Sequence, residues 1–319
     1  MDAFDIGIPM SMERVRPALE KEVIQYEALS FLADAGHLGL MTFQGGTCLH
    51  LCYGSPRFSE DLDFTAGERF DELPWDSLAR DMGGRLSERF GTDVRVKEPR
   101  LKRFNDGGTS MARWTVSVDT APERLDMPSQ RLKIEVASVP SHTSEMRRVA
   151  TVLEPERPAS PTVACQSLVE IAADKLVSFA DTERYIRYRD LWDLPWIAAQ
   201  GASDRDLMSS LVRMKHGGYC CSDDLDLLLH KGRSRARKTF ASEDFTTQMR
   251  RFLTADVFEA TAASPSWRAD ACAHVVDTYE SVAQVLGIDL DAPSVRAKAA
   301  ASSAAESSSR RGRMEGKHI

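Results

Sequence analysis

Residues 45–64, GGTCLHLCYGSPRFSEDLDF, carry the reading from which the fold follows. At the end of this stretch Asp61 and Asp63 stand two apart in DLDFTAG, whose side chains alternate as in a strand. Their carboxylates therefore project from one face. Two carboxylates that close repel each other, and both stay ionised when a cation lies beside them. Hard oxygen donors of this kind suit magnesium, which takes a few carboxylates together with substrate phosphate oxygens. Just upstream, LMTFQGG reads as a short strand running into a glycine turn, and TCLHLCYG as a brief helix. At that junction Gly45 and Gly46 let backbone N–H groups approach a phosphate, and the helix start adds a partial positive charge. The Thr47 hydroxyl can cap the helix or donate to a phosphate. A lone Asp-x-Asp is common on surface strands. Joined to the glycine turn, it puts phosphate donors and metal ligands side by side, as phosphoryl or nucleotidyl transfer requires.

Working outward, residues 14–36 and 73–90 carry apolar positions at helical spacing. DVRVKEP, MARWTVSVD and RLKIEVASV alternate with period two and read as strands, with residues 146–153 as a further candidate. The loop NDGGTS separates two of them. Beyond about residue 160 the pattern turns helical, with segments near 164–181, 187–200, 203–216, 222–255 and 265–286. The expected fold class is α+β: a mixed-sheet lobe over 1–158, then an all-helical lobe over 159–290. The division falls in the Pro-rich stretch EPERPASP. Residues 291–319 are Ala, Ser and charge, and are predicted to be disordered.

The 319 residues are 42% hydrophobic and 28% charged, the balance of a globular protein with an ample core. No apolar run is long enough to span a bilayer, and MDAFDIGIPM lacks the order of a signal peptide. The expected setting is the cytoplasm, with no membrane partner. Six cysteines, Cys48, Cys52, Cys165, Cys220, Cys221 and Cys272, form no Cys-x-x-Cys pair, so no zinc knuckle is readable. Cys48 and Cys52 read as small core residues. The net charge of −7 argues against nonspecific nucleic-acid binding, yet KGRSRARK gathers Lys231, Arg233, Arg235, Arg237 and Lys238. That run is either a solvated helix face or an RNA-contacting patch. His50, between Leu49 and Leu51, reads as a satisfied core histidine.

The central segment resembles the signature of the AbiEii/AbiGii-type nucleotidyltransferase toxins, within the DNA-polymerase-beta-like nucleotidyltransferase superfamily. Their pattern, a GG[ST] turn followed by Y-G-x-x-R-x-S-x-D-x-D, is met by Gly45, Gly46, Thr47, Tyr53, Gly54, Arg57, Ser59, Asp61 and Asp63. The resemblance implies a third carboxylate on a neighbouring strand; Glu135 in RLKIEVASV is the candidate. It also implies a lysine on a following helix. Lys175 lies on the stripe of Leu168, Ile171, Ala172 and Phe179, where an unpaired cation would be costly, so it should meet a carboxylate or a triphosphate. A family segment like R-[KR]-D-x-[YW]-D-L is matched by Arg187, Arg189, Asp190, Trp192, Asp193 and Leu194, with tryptophan where the family more often has tyrosine. Asp190 and Asp193 share a helix face, and Arg189 can pair with Asp193 at i,i+4. Arg57 is expected to steady the loop or a phosphate. Ser59 is expected to cap the loop, and a phosphate group placed on it would add negative charge beside the carboxylates.

The resemblance therefore implies a Mg2+-dependent enzyme with Asp61, Asp63 and Glu135 as metal ligands. Gly45, Gly46, Thr47, Arg57, Ser59 and Lys175 would hold an NTP, while Asp190 and Asp193 orient Lys175 or the arginines. The implied acceptor is RNA, with the 3′ end of tRNA as its implied target, and a cognate antitoxin restrains the toxin. The alternatives are a protein or small-molecule acceptor, or a silent binding module on the same fold.

Overall fold

The computed structural model describes residues 10–103, 109–119, 129–155, 157–219, 221 and 223–291. The tail expected to be disordered, from residue 292 on, and most of the NDGGTS loop lie outside these residues.

Among the described residues the strands are β1 (Thr42–Gln44), β2 (Leu62–Thr65), β3 (Val94–Val96), β4 (Arg100–Arg103), β5 (Ser110–Val118), β6 (Gln130–Ala137), β7 (Ser144–Arg148) and β8 (Thr162–Gln166). They form one mixed sheet in the order β3-β5-β6-β2-β1-β8-β7, with β4 paired to β5 off that path. The helices α1 (Arg16–Asp34), α2 (Gly45–Tyr53) and α3 (Trp75–Phe90) belong to the sheet lobe. The helical half contains α4 (Leu168–Asp181), α5 (Tyr188–Ala199), α6 (Arg205–Gly218), α7 (Leu225–Phe240), α8 (Glu243–Met249), α9 (Ala255–Ala260) and α10 (Pro265–Leu286). The α+β reading, a mixed sheet followed by helices, describes this architecture. No helix among the described residues is long and apolar enough to cross a membrane.

Register places the acidic residues. Strands β1 and β2 pair antiparallel with Gln44 opposite Asp63, and β2 pairs parallel with β6, setting Asp63 beside Glu135. Strand β5 then sets Arg113 opposite Glu135. Residues in register share a face, so Gln44, Asp63, Glu135 and Arg113 form one polar row across four strands. Their neighbours Leu62, Phe64, Ile134 and Val136 point the other way and are buried. Phe43 of β1 stacks on Phe64 at 5.0 Å within that core.

The structure corrects the sequence reading at several joints. TVACQ, assigned in part to the first helix after the Pro-rich stretch, is strand β8, running parallel to β1 with Phe43 opposite Cys165. The sheet lobe therefore extends past residue 158 to Gln166. Val163 and Cys165 are fully buried on one face, so the packing demand there has period two. The helix begins only at Ser167, whose side chain accepts the Glu170 N–H. The last strand candidate shifts from 146–153 to Ser144–Arg148, and β4 was not foreseen. The span 222–255 breaks at Ser242, which caps α8 by accepting the Asp244 N–H.

Helices α4, α7 and α10 meet at Tyr279, a buried residue whose hydroxyl donates to the Leu176 carbonyl at 2.8 Å. Gly232 of α7 lies flat against that ring; a Cβ there would come within 2.4 Å of Tyr279 Cε1 and Cζ. Gly232→Ala gains about 1 kcal/mol of helix propensity but overpacks a core contact, at a cost of about 1–3 kcal/mol. The expected result is a lower urea midpoint than wild type. A midpoint at or above wild type would show that the ring has room to move.

Candidate active site

Helix α2 starts at the end of β1 without a loop, and Gly45 takes φ 77°, a backbone region that favours glycine. A Cβ on Gly45 would sit 2.9 Å from Asp63 Oδ2, and one on Gly46 would sit 2.5 Å from Arg57 Nη2 and 2.8 Å from Ser59 Oγ. The glycine pair thus lets the turn lie directly against the acidic strand. Thr47 is fully buried and donates its hydroxyl to the Asp61 carbonyl. The N-cap position is Gln44, and the one proton of the Thr47 hydroxyl is committed to fixing the acidic segment rather than to a phosphate.

Arg57 resolves between its two expected roles. Its guanidinium is buried and gives Asp193 a bidentate pair, Nε to Oδ1 at 2.6 Å and Nη2 to Oδ2 at 2.7 Å. Nη1 donates to the Phe58 carbonyl at 2.8 Å. Of the two roles expected for it, steadying the loop is the one the structure realises. Lys175 Nζ meets Asp190 Oδ1 at 2.9 Å and Asp193 Oδ2 at 2.6 Å. Arg187 donates to the other oxygen of Asp190. Arg189 does not pair with Asp193; it reaches Glu60 at 3.1 Å and lies 4.9 Å over the Phe252 ring. Asp193 is already saturated by the two buried cations, which leaves Arg189 to the rim.

These groups line a cleft of about 450 Å³, with Gln44, Gly45, Gly46, Ser59, Asp61, Asp63 and Glu135 on the sheet side. The helical half contributes Asp174, Lys175, Arg187, Arg189, Asp190, Tyr219 and Arg251. Thr47 is outside the lining. Tyr185, 60% exposed, and Ile186 also border the cleft. Sequence reasoning passed over Asp174, Tyr219 and Tyr185 as site residues. The Tyr219 hydroxyl donates to Asp174 at 2.7 Å, and no spacing signal links two residues that far apart in the chain.

The electrostatics divide the cleft. Burial first, then the charges of Glu135 and Asp61, push the Asp63 carboxyl up to about 7. Burial also raises Asp61, with Lys133 opposing. On the opposite wall burial works against the Asp190 charge, but Arg187 and then Lys175 outweigh it and hold that carboxyl well below the usual range. One wall is thus short of positive charge and the other is balanced. Glu135 Oε1 borrows a cation from Arg113 at 2.5 Å. Asp61, Asp63 and Glu135 are the carboxylates here that could hold a divalent ion, since they repel one another in its absence. The carboxylate oxygens are not all within 4.8 Å of one another. Ligands shared between two ions about 3.5–4 Å apart need not be so close.

The run 231–238 lies away from this cleft. Lys231 binds Glu183 and Asp223, Arg233 binds Glu280 and Asp291, and Arg237 binds Glu280. Arg235 donates to the Phe179 and Thr182 carbonyls at the end of α4. Lys238 is exposed. Four of the five cations therefore tie α7 to its own neighbours. His50 is the satisfied core histidine expected, 2.8 Å from Glu22 and 2.7 Å from the Ser55 carbonyl. Ser59 faces the glycine turn, and its carbonyl accepts from Gln25 at 3.1 Å.

Comparison with known proteins adds the family. The profile described as nucleotidyl transferase AbiEii toxin, type IV TA system, matches residues 27–275. Among solved structures, an H. pylori protein described as a candidate nucleotidyltransferase is 18% identical, with TM-score 0.43, over 85% of this chain and 96% of that one. JHP933 from Helicobacter pylori is also 18% identical, with TM-score 0.40, over 85% and 93%. No curated protein matches.

The raised Asp63 carboxyl gives a signed prediction. In an unfolded chain it titrates near 3.9, so between about pH 4 and pH 7 the folded protein holds a proton that the unfolded chain has lost. The stabilisation from Asp63 is complete at the acid end of that window and is lost as pH rises through 7. In metal-free protein, the melting temperature of Asp63→Asn relative to wild type should climb steadily from pH 4 to about pH 8. Added Mg2+ should narrow the gap at the upper end. A pH-independent difference would place Asp63 in an ordinary solvated setting.

Proposed function

Because this chain belongs to the AbiEii nucleotidyltransferase toxin family of type IV toxin–antitoxin systems, we propose that it transfers a nucleoside monophosphate from an NTP to an RNA hydroxyl. The acceptor in this reading is the 3′ end of tRNA, and the cognate antitoxin restrains the reaction. The observation that carries it is the meeting of Asp61, Asp63 and Glu135 with the Gly45–Gly46 turn in one cleft.

Magnesium bound by Asp61, Asp63 and Glu135 would supply Lewis acidity and neutralise phosphate charge. The backbone N–H groups of the glycine turn, at the positive end of α2, face the place where phosphate oxygens would lie. Lys175 and Arg187, each paired with Asp190, give the far wall a fixed, oriented field. In the reaction, the acceptor oxygen attacks the α-phosphorus and gives its proton to the carboxylate wall. The bond to the β-phosphate oxygen breaks, and pyrophosphate leaves. Tyr185 at the mouth presents an aromatic face of the kind on which a base stacks. That feature favours a polynucleotide acceptor over a small molecule.

The test is incubation with total RNA, Mg2+ and each labelled NTP in turn, followed by separation of the products by size. Label should enter the tRNA band from one NTP in preference to the others. Label in protein or only in small molecules would replace the acceptor, and no label in any fraction would sink the enzyme reading. Asp61→Ala and Asp63→Ala should each lose about 10²–10³-fold or more in transfer while keeping the wild-type fold by circular dichroism.

Gly46→Ala should lose activity comparably, because Arg57, locked on Asp193, cannot yield to the added methyl. Tyr185→Ala should raise the KM for RNA more than that for NTP. Equal changes in both would take Tyr185 out of acceptor binding.

A further inference from the structure

Helix α2 carries Cys48 and Cys52 four residues apart, and therefore on one helix face. Strand β8 carries Cys165 in the layer directly beneath. The fold brings the three sulfur atoms within 4.8 Å of one another, although their sequence spacing shows no ligand motif. Cys48 and Cys165 are fully buried, while Cys52 is half-buried. All three are free thiols.

Neither core packing nor a disulfide accounts for the cluster. Cysteines pack as small apolar side chains, which suits each one singly but not the convergence of three sulfurs on one point. A disulfide between Cys48 and Cys52 is ruled out by helix geometry. Residues at i,i+4 have Cβ atoms about 5–6 Å apart, against the ~3.5–4.5 Å that a disulfide requires. A bond from either one to Cys165 would leave the third thiol stranded beside it.

The surroundings suit a cation held by thiolates. Glu145 stands opposite Cys165 in the β7–β8 register, and Arg147 pairs with Glu145 at 3.0 Å. The Arg147 guanidinium lies 4.5 Å over the Tyr53 ring, and the Tyr53 hydroxyl donates to the Gln166 carbonyl at 2.6 Å. The cluster is thus closed on one side by Tyr53 and bordered by a positive charge. Three thiolates leave one negative charge with Zn2+ and two with Cu+, and Arg147, itself shared with Glu145, is a cation at the border of the cluster.

We propose that Cys48, Cys52 and Cys165 form a site for one thiophilic d10 cation, Zn2+ or Cu+, separate from the carboxylate cleft. Thiolates select these ions over magnesium. On binding, the thiol protons pass to solvent as three metal–sulfur bonds form. Sulfurs on a tetrahedral shell of ~2.3 Å lie about 3.8 Å apart, so the observed cluster needs only a small contraction. Zn2+ would complete its shell with water entering beside Cys52; Cu+ is satisfied by three sulfurs. Either ion would tie α2 to β8 one turn beyond the Gly45–Gly46 turn.

The experiment uses the full chain, purified under reductant, stripped with chelator and re-equilibrated anaerobically with Zn2+ or Cu+. Retention of about one equivalent of either ion after gel filtration is expected, and the ion retained against a competing chelator identifies the occupant. Co2+ in place of Zn2+ should give a sulfur-to-cobalt charge-transfer band in the near ultraviolet. Cys52→Ala, the variant least disruptive to the core, should lose that band and weaken binding at least tenfold. Asp63→Asn and Cys272→Ala should retain both. In wild type, alkylation of Cys52, the one of the three that is not fully buried, should slow when the ion is bound while Cys272 still reacts, a readout that requires no variant to fold. Negligible retention of both ions, a band that survives Cys52→Ala, or a disulfide mapped by peptide mass between two of Cys48, Cys52 and Cys165 before any metal is added would each overturn the site.

Discussion

Behind the cleft lining, Asp193, a carboxylate with no solvent exposure, accepts two hydrogen bonds from Arg57 and an ion pair from Lys175. The three residues come from different parts of the chain: the loop before β2, helix α4 and helix α5. In a low-dielectric interior none of these charges can stand alone, because removing one partner of a buried pair costs about 3–5 kcal/mol. The three elements are therefore locked together. Arg57 sits four residues before Asp61, so the lock also fixes the path of the segment that delivers the acidic pair. The Thr47 hydroxyl, bound to the Asp61 carbonyl, holds the same segment from the α2 side.

The acidic wall owes its character to strand order. Parallel pairing of β2 with β6 forces Asp63 and Glu135 into neighbouring positions on one face. Their mutual repulsion follows from the backbone and cannot be relieved by a change of rotamer alone. Arg113, one strand further out, takes up part of the Glu135 charge, but nothing comparable reaches Asp63. The upward shift of its carboxyl expresses that imbalance. Beside Asp190, by contrast, Arg187 and Lys175 supply the positive charge that offsets burial.

Much of this was legible in the sequence, for a physical reason. Gly45, Gly46, Asp61 and Asp63 lie within one short segment, where local geometry dictates which groups meet. Glu135 followed from strand alternation together with the family resemblance, and Lys175 from a charge on an apolar stripe. What stayed hidden depends on pairing between distant elements. Strand β8 was absorbed into a helix because TVACQ sits against a strong helical pattern, and the Ser-x-x-Glu signal at Ser167–Glu170 that marks the true start was passed over. For Arg57 and Thr47 the sequence leaves a phosphate role open beside a structural one, because it does not show the buried acceptors that claim their donors. The basic run 231–238 looked like a patch because its carboxylate partners, Glu183, Asp223 and Glu280, are not its neighbours in the sequence.

The Pro-rich stretch marks a change of secondary structure without marking a boundary of function. Beyond it, β8 returns to the sheet, between β1 and β7. The Phe58 N–H donates to the Phe252 carbonyl at 2.9 Å, so the Arg57 loop is pinned by main chain from the helical half. Glu170, at the start of α4, accepts the His142 and Thr143 N–H groups from the sheet side and pairs with buried Lys215 from α6. The acidic wall belongs to one half and the balancing cations to the other. The family match over 27–275 spans both. Severed at the Pro-rich stretch, the first half would keep its carboxylates but expose Arg57 without Asp193, and the second would bury Asp193 against Lys175 alone. Each half would carry a charge imbalance that only the other removes, so the cleft exists only as a property of the joined chain.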